Sequence, residues 1–463
     1  MLRLKTIILL FSILILFSLS GAEDLEKPPA PGTPKNFKLP ETTTFTLDNK
    51  MKVTLIPYGT LPKVTVRLYV RAGNIDEAEN QVWLADLTGN LMKEGTIHKT
   101  AEDIANAVAS MGGEININVD ADRTTISGDV LSEFGPDLVK VIADIAENPL
   151  LPESEVARLK KDMIRNLNIQ KTQPRTIALA KFRSVLYPDH PYGRIFSSEE
   201  MINGFTLNDI KTFYQTNFGA ARTHLFVSGR FDEHKMESTI RRAFKHWREG
   251  KPAEIKPVNH VQSKRAIYLI DRPGAAQSTV YIGLPVIDPT QKDYVPLQVM
   301  NSLLGGSFTS RITTNIREEK GYTYSPFAQI STRYKDAYWV EVADITTNVT
   351  GPALREIFYE IHRLQDETPS KEETEGIENF MAGTFVLRNS SRSGIINQLA
   401  FLDLQGLDKN YLTEYVRTVH AVTPEEIQAM AAKYLKENNM TIVIAGDVKK
   451  IKKQVANYGT IVK

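Results

Sequence analysis

The residue types best suited to chemistry in this chain gather in one stretch: Gly305-Gly306-Ser307-Phe308, then Arg317, then Gly321-Tyr322-Thr323-Tyr324. Paired glycines let the backbone bend sharply and approach a ligand closely. A helix-like run then carries Arg317, Gly321 breaks it, and the two tyrosines follow in extended chain. A guanidinium and a phenol are thereby set near one corner. Both are hydrogen-bond donors, and both can stabilise negative charge developing on a peptide carbonyl oxygen. The competing reading is structural: Arg317 pairs with Glu318 or Glu319 on the surface, and the tyrosines pack in a core.

The elements that must position this corner come in two copies. Thr206-Leu207-Asn208-Asp209-Ile210 and Thr423-Pro424-Glu425-Glu426-Ile427 each place an N-cap threonine before an amphipathic helix, and they stand 217 residues apart. The same offset carries Phe218 onto Leu435, Val227 onto Ile444, Gly229 onto Gly446, and Pro152 onto Pro369. Gly135-Pro136 and Gly351-Pro352 match at 216. A nearly constant offset over so long a span is the mark of duplication.

Each copy occupies about 200 residues, 41–250 and 263–463, joined by a polar linker at 251–262 within the segment Arg248–Lys264. In the first copy, period-two patterns predict strands at Thr43–Leu47, Lys52–Pro57, Val64–Val70 and Leu225–Ser228, and a hairpin joining Glu114–Asn118 to Thr124–Asp129. Helices are expected at Val82–Glu94, Ala101–Met111, Pro136–Ala146, from Pro152, near Thr176–Leu186, at Leu207–Phe218 and at Glu233–Lys245. The second copy repeats that order. Strands in neighbouring pairs and helices gathered apart imply an α+β protein of two homologous halves, each a mainly antiparallel sheet with helices packed on one face.

Composition narrows the function. Lys+Arg 56 against Asp+Glu 55 leaves a formal charge of +1, which carries no nucleic-acid footprint. The absence of cysteine removes disulfides, thiolate nucleophiles and cysteine-ligated zinc together. Arg3 and Lys5, the apolar run Thr6–Leu19 and the small residues Ser20-Gly21-Ala22 have the layout of a secretory signal peptide cleaved after Ala22. A secreted or periplasmic protein is the expectation, with membrane contact only if that segment stays uncleaved. Residues 23–40, with five prolines between Pro28 and Pro40, read as an extended tether.

The order of elements and four motifs resemble the M16 (insulinase/pitrilysin-type) zinc peptidases. The motifs are Trp83-Leu84-Ala85-Asp86-Leu87-Thr88-Gly89-Asn90-Leu91-Met92-Lys93-Glu94-Gly95-Thr96, His190-Pro191-Tyr192-Gly193, the ending Val227-Ser228-Gly229, and the block Gly305–Pro326. The resemblance implies the M16/LuxS-like metallohydrolase fold. It also implies an inverted zinc motif, His-x-x-Glu-His, on the helix Leu84–Gly95, where two imidazoles bind zinc and the Glu activates water. Here Asp86, Gly89 and Asn90 stand at those positions, and Asn166 or Asn168 stands where a third, glutamate ligand belongs. No metal is expected in this chain, and zinc is expected on a partner subunit.

The second half keeps the family's other pattern, an Arg and a Tyr that stabilise the tetrahedral intermediate, which Arg317 and Tyr324 match. Tyr322 competes for that assignment and stands with Gly305, Gly306 and Ser307 as a substrate-binding candidate. The resemblance therefore implies a noncatalytic subunit, inactive alone. It would act beside a His-x-x-Glu-His-bearing homologue in a heteromeric peptidase that encloses peptides in a chamber. Gly112–Asn118 is a candidate edge strand for extended substrate. Two other readings stay open: a structural or assembly homologue, and a self-sufficient peptidase with an atypical metal site at Asp86. None of the eight histidines pairs with another at helical ligand spacing, and His190, among prolines and Gly193, reads as a turn residue.

Overall fold

Alternating and continuous apolar runs in this chain become twelve strands, arranged as two sheets of six. The computed structural model describes residues 37–260 and 264–462. The expected signal segment and residues 23–36 of the tether lie outside them. The first sheet contains β1 (Thr43–Thr46), β2 (Lys52–Pro57), β3 (Lys63–Val70), β4 (Ile115–Val119), β5 (Thr124–Leu131) and β6 (Thr223–Gly229), in the order β1-β2-β6-β3-β5-β4. The second contains β7 (Ala266–Asp271), β8 (Gln277–Val286), β9 (Phe327–Arg333), β10 (Asp336–Thr346), β11 (Thr441–Gly446) and β12 (Thr460–Val462), in the order β12-β7-β11-β8-β10-β9.

The duplication holds strand for strand. β2 runs parallel to β6, as β7 does to β11, while β3 and β5, like β8 and β10, are antiparallel neighbours. The copies differ at one margin. β1 folds back on β2 as an antiparallel hairpin, whereas β12 arrives from the other end of the chain and lies parallel to β7.

Helices cover one face of each sheet, as the sequence implies. In the first half Leu87, Leu138, Leu167 and Ile210 pack on Val53, Leu55, Val66 and Leu68. In the second, Leu354, Ile357, Ile377 and Ile427 pack on Val280, Ile282, Trp339 and Ile444. The expectation of one covered face is incomplete, however. β10 is buried at every position from Asp336 to Ala343, so side chains on both of its faces are shielded from water.

The second face is covered by the other half. Helix Pro174–Leu186 lays Ala178, Phe182 and Leu186 on Tyr281, Tyr338, Val340 and Val443 of the second sheet. Helix Arg392–Gln405 lays Ile395, Ile396 and Leu399 on Ile56, Tyr69 and Phe226 of the first. These helices are the same repeat element, so the exchange is reciprocal. Polar contacts pin each one: Arg175 Nε donates to Asp344 Oδ2 at 2.7 Å, and Arg392 Nη2 to Asp129 Oδ2 at 3.0 Å.

Three local expectations need correction. Helix Val82–Glu94 is shorter, Leu84–Leu91 with a tight turn at Met92–Glu94, because Trp83 sits at φ 77° with its indole N–H bonded to Ile195 O at 3.0 Å. The linker forms neither helix nor strand over 248–260 but is tied down, with His260 Nε2 2.6 Å from Asp336 Oδ1 and Lys256 Nζ donating to Ile75 O at 2.5 Å. The end of the tether is part of the fold, since Phe37 meets Phe385 edge-on at 5.1 Å between ring centres. Among the described residues no helix is long and apolar enough to cross a membrane.

Candidate functional site

The chain leaves helix Tyr294–Asn301 through a π-helical turn, Ser302–Gly306, and after Ser307–Ser310 re-enters helix at Arg311–Thr313, which widens into a second π-helical segment, Thr314–Glu319. Single π turns inside helices recur at functional sites. Gly305 has to be glycine: a Cβ there would come within 2.7 Å of Ala328 Cβ and 2.8 Å of Glu341 Oε2. The run ends at Gly321, in left-handed backbone at φ 63°. Thr323 then bridges to Ile345 and donates its hydroxyl to Asp344 O at 2.7 Å. This anchor separates the two tyrosines. Tyr322 packs on the second-half core, whereas Tyr324 is 79% exposed.

Gly305, Gly306, Ser307, Phe308, Arg317 and Tyr324 line one open depression of about 320 Å³. Tyr322 does not. The Arg317 guanidinium lies 4.2 Å from the ring centre of Phe308 and 5.3 Å from that of Tyr324. Two aromatic faces orient its plane while leaving its edge donors free. Arg317 Nη1 also reaches Glu318 Oε1 at 3.3 Å, so the surface ion pair of the structural reading exists. Such an exposed pair is worth ~0–1 kcal/mol, too little to hold the guanidinium from a ligand.

Beneath the glycine turn lies Glu341, a residue the sequence reading missed. It interrupts the apolar run Tyr338-Trp339-Val340-Glu341-Val342-Ala343, and a lone carboxyl in such a run was its visible signal. It is 1% exposed, neither carboxyl oxygen has a hydrogen-bond partner, and burial raises its pKa well above the ordinary 4.5. The folded state therefore holds a proton that the unfolded state releases at neutral pH. Stability is greatest below the unfolded pKa and falls as pH rises toward the folded one, by up to about 1.4 kcal/mol per pH unit. Glu341→Gln is expected to raise the urea midpoint at pH 8 and to leave it nearly unchanged at pH 4, a difference that denaturation at the two pH values measures.

Helix Leu84–Leu91 presents the other candidate positions. Asp86 Oδ2 accepts from Asn74 Nδ2 at 2.7 Å, the same amide that donates to Glu77 Oε1 at 3.1 Å. Burial raises the pKa of Asp86, and burial with Asp86 beside it pushes Glu77 up to about 8. Val119, at the end of β4, fills the space over Gly89: a Cβ there would meet Val119 Cγ2 at 2.6 Å. Asn90 Oδ1 accepts from Lys93 Nζ at 3.2 Å, and Asn168 Nδ2 donates to Glu199 at 2.9 Å. Asn166 is exposed. One carboxyl, a plugged glycine and amides do not fit a zinc ion. Among the described residues no three His, Asp or Glu side chains gather as a metal site.

His190 takes the turn role expected of it. Its Nδ1 accepts from Tyr192 N and its Nε2 meets Lys256 O, each at 3.2 Å, and burial lowers its pKa. β4 forms one end of the first sheet, as Gly112–Asn118 suggested, and β9 forms the corresponding end of the second.

Comparison with known families places this architecture. The family described as Insulinase (Peptidase family M16) matches residues 53–198, and the family described as Peptidase M16 inactive domain matches residues 204–380. The chain belongs to peptidase family M16.

Curated M16-like relatives include an uncharacterized zinc protease of Rickettsia felis, 23% identical over 321 residues that cover 68% of this chain and 76% of that protein. Another, from Streptomyces coelicolor, is 22% identical over 382 residues, covering 80% and 83%. Among solved structures, a peptidase M16 inactive domain from Pseudomonas fluorescens superposes with a TM-score of 0.80 at 23% identity, covering 88% of this chain and 98% of that one. A protease from Helicobacter pylori gives 0.82 at 19% identity, covering 88% and 100%. Both share the two-half M16 fold.

Proposed function

We propose that this M16 protein is the noncatalytic, Arg317/Tyr324-bearing subunit of a heteromeric zinc peptidase. One observation carries the reading. Tyr324 and Arg317 face an open depression, while the helix at the family's metal position holds one carboxyl already bonded to an amide and a glycine closed over by Val119. The donors persist without the ligands. A homologue bearing His-x-x-Glu-His would hold zinc, which supplies the electrophilic centre. This chain would donate hydrogen bonds to the carbonyl oxygen of the peptide being cut.

The two subunits would close a chamber around extended peptide. β9 begins three residues after Tyr324 and has no strand on its outer side, so a substrate pairing along it would pass the Arg317 corner. The basic N-terminus, apolar run and Ser20-Gly21-Ala22 support export to the periplasm or beyond.

Reconstitution tests the proposal. Peptide hydrolysis is expected from this chain mixed with the His-x-x-Glu-His homologue, and from neither alone. Hydrolysis by this chain alone, or full activity of the homologue alone, would overturn it.

A further inference from the structure

Where helix Arg392–Gln405 crosses the first sheet, a second cavity of about 180 Å³ opens at the seam between the halves and the linker. Its walls include Lys52, Arg71, Arg123, Arg222 and His224, with Asp403 as the lone carboxylate. Asp403 is already engaged. Lys52 Nζ lies 3.2 Å from its Oδ1 and His224 Nδ1 lies 3.1 Å from its Oδ2. Burial alone would raise its pKa, but the bond from His224 and the charges of His224 and Lys52 bring it down to about 2, so it is ionised.

The arginines have no such partner to share. Arg71 stacks flat on Tyr334, 4.4 Å from its ring centre, and among the described residues its guanidinium makes no ion pair and no hydrogen bond. Its Nε is buried and unpartnered. Arg222 is 6% exposed and spends its outer nitrogens on carbonyl and amide oxygens, with Nη1 on Asn217 O at 3.0 Å and Nη2 on Pro252 O at 3.4 Å. Asp76 approaches only to 3.7 Å, and Nε of Arg222 is again buried without a partner. Glu254, Asp76 and Asp122 act on these cations only through their fields or at that longer range.

Arg71 and Arg222 are adjacent, joined by Arg71 N to Arg222 O at 2.9 Å, so like charges share one partly dry corner. Arg123 adds a third cation, stacked 4.3 Å from the ring centre of Tyr69, with its Nε turned to Asp120. Unpaired buried charge costs several kcal/mol, and a planar guanidinium held by an aromatic face with its donor edge free matches a two-oxygen anion.

We infer that this seam cavity is a binding site for a small oxyanion, a phosphate or a terminal carboxylate, clamped chiefly by Arg71 and Arg222. It is too small for a nucleotide, since drug-sized ligands occupy ~300–1,000 Å³. Because its walls come from the first sheet, the linker and the second half's helix, an occupant ties the halves together. The inference is independent of peptide hydrolysis.

Thermal unfolding of the whole chain tests it, titrating inorganic phosphate or an N-acetylated dipeptide with a free carboxylate against sodium chloride of equal ionic strength. A saturable rise of the midpoint by a few degrees is expected for at least one of the two, and the responding arm identifies the source. Arg71→Met keeps apolar contact with Tyr334, holds the midpoint in chloride, and abolishes the response. Arg71→Lys keeps the charge without the fork and weakens apparent affinity at least about tenfold. No saturable rise with either anion, or an Arg71→Met protein that responds like the wild type, would overturn the inference.

Discussion

Arg317→Ala or Tyr324→Phe lowers kcat of the reconstituted pair by roughly 10²–10³ while KM changes little. Removing one preorganised donor to a developing oxyanion costs about that factor, and an interaction made only in the transition state is lost from kcat. The variants are expected to fold. Arg317 is held by two cation–π contacts and one exposed ion pair, and Tyr324 is 79% exposed, so neither substitution opens a core cavity. Arg317→Lys recovers only part of the rate, because an ammonium has no planar fork. Tyr322→Phe serves as the control: its ring packs on the second-half core outside the depression, and its rate should stay within about twofold of the wild type. Steady-state kinetics at saturating partner decides. Rates within twofold for Arg317→Ala and Tyr324→Phe would leave the donors without a role, and the assembly-protein reading would then gain.

The second large effect concerns the exchanged helices. Phe182→Ala destabilises the protein by about 3–5 kcal/mol, the usual cost of emptying a fully buried aromatic site. Phe182 is 0% exposed and lies 5.6 Å from the ring centre of Tyr338 and 5.9 Å from that of Tyr281, and its ring tip fills the space over Gly283. The lost contacts are all between the halves. A urea titration should therefore show more than an earlier midpoint: the single transition expected of the wild type separates into two as the halves uncouple. Leu399→Ala, on the reciprocal helix over the first sheet, is expected to act in the same direction. A loss below about 1 kcal/mol with one undivided transition would mean that each half is stable without the other's helix.

Much of this molecule is carried by local pattern. Strand β6 and helix Leu207–Asn217 are recovered 217 residues later as β11 and Pro424–Tyr434, because N-cap threonines, apolar period and terminal glycines act over a few residues and survive duplication. The positions Asp86, Gly89 and Asn90, with no histidine among them, are equally plain in one dimension. The Arg317–Tyr324 spacing was visible too, but its meaning was not. Thr323 bridges to β10, a pairing between segments distant in sequence, and that bridge sends Tyr322 to the core and Tyr324 to the surface.

Side-chain types, their periods and the repeat were thus set by the chain itself, since each depends on neighbours along the backbone. The covering of each sheet's second face by the other half's helix, the closing of Gly89 by Val119, and the meeting of Arg71 with Arg222 were decided only in three dimensions. The reason is physical: burial and charge pairing depend on which surfaces meet, and no local pattern specifies a neighbour hundreds of residues away.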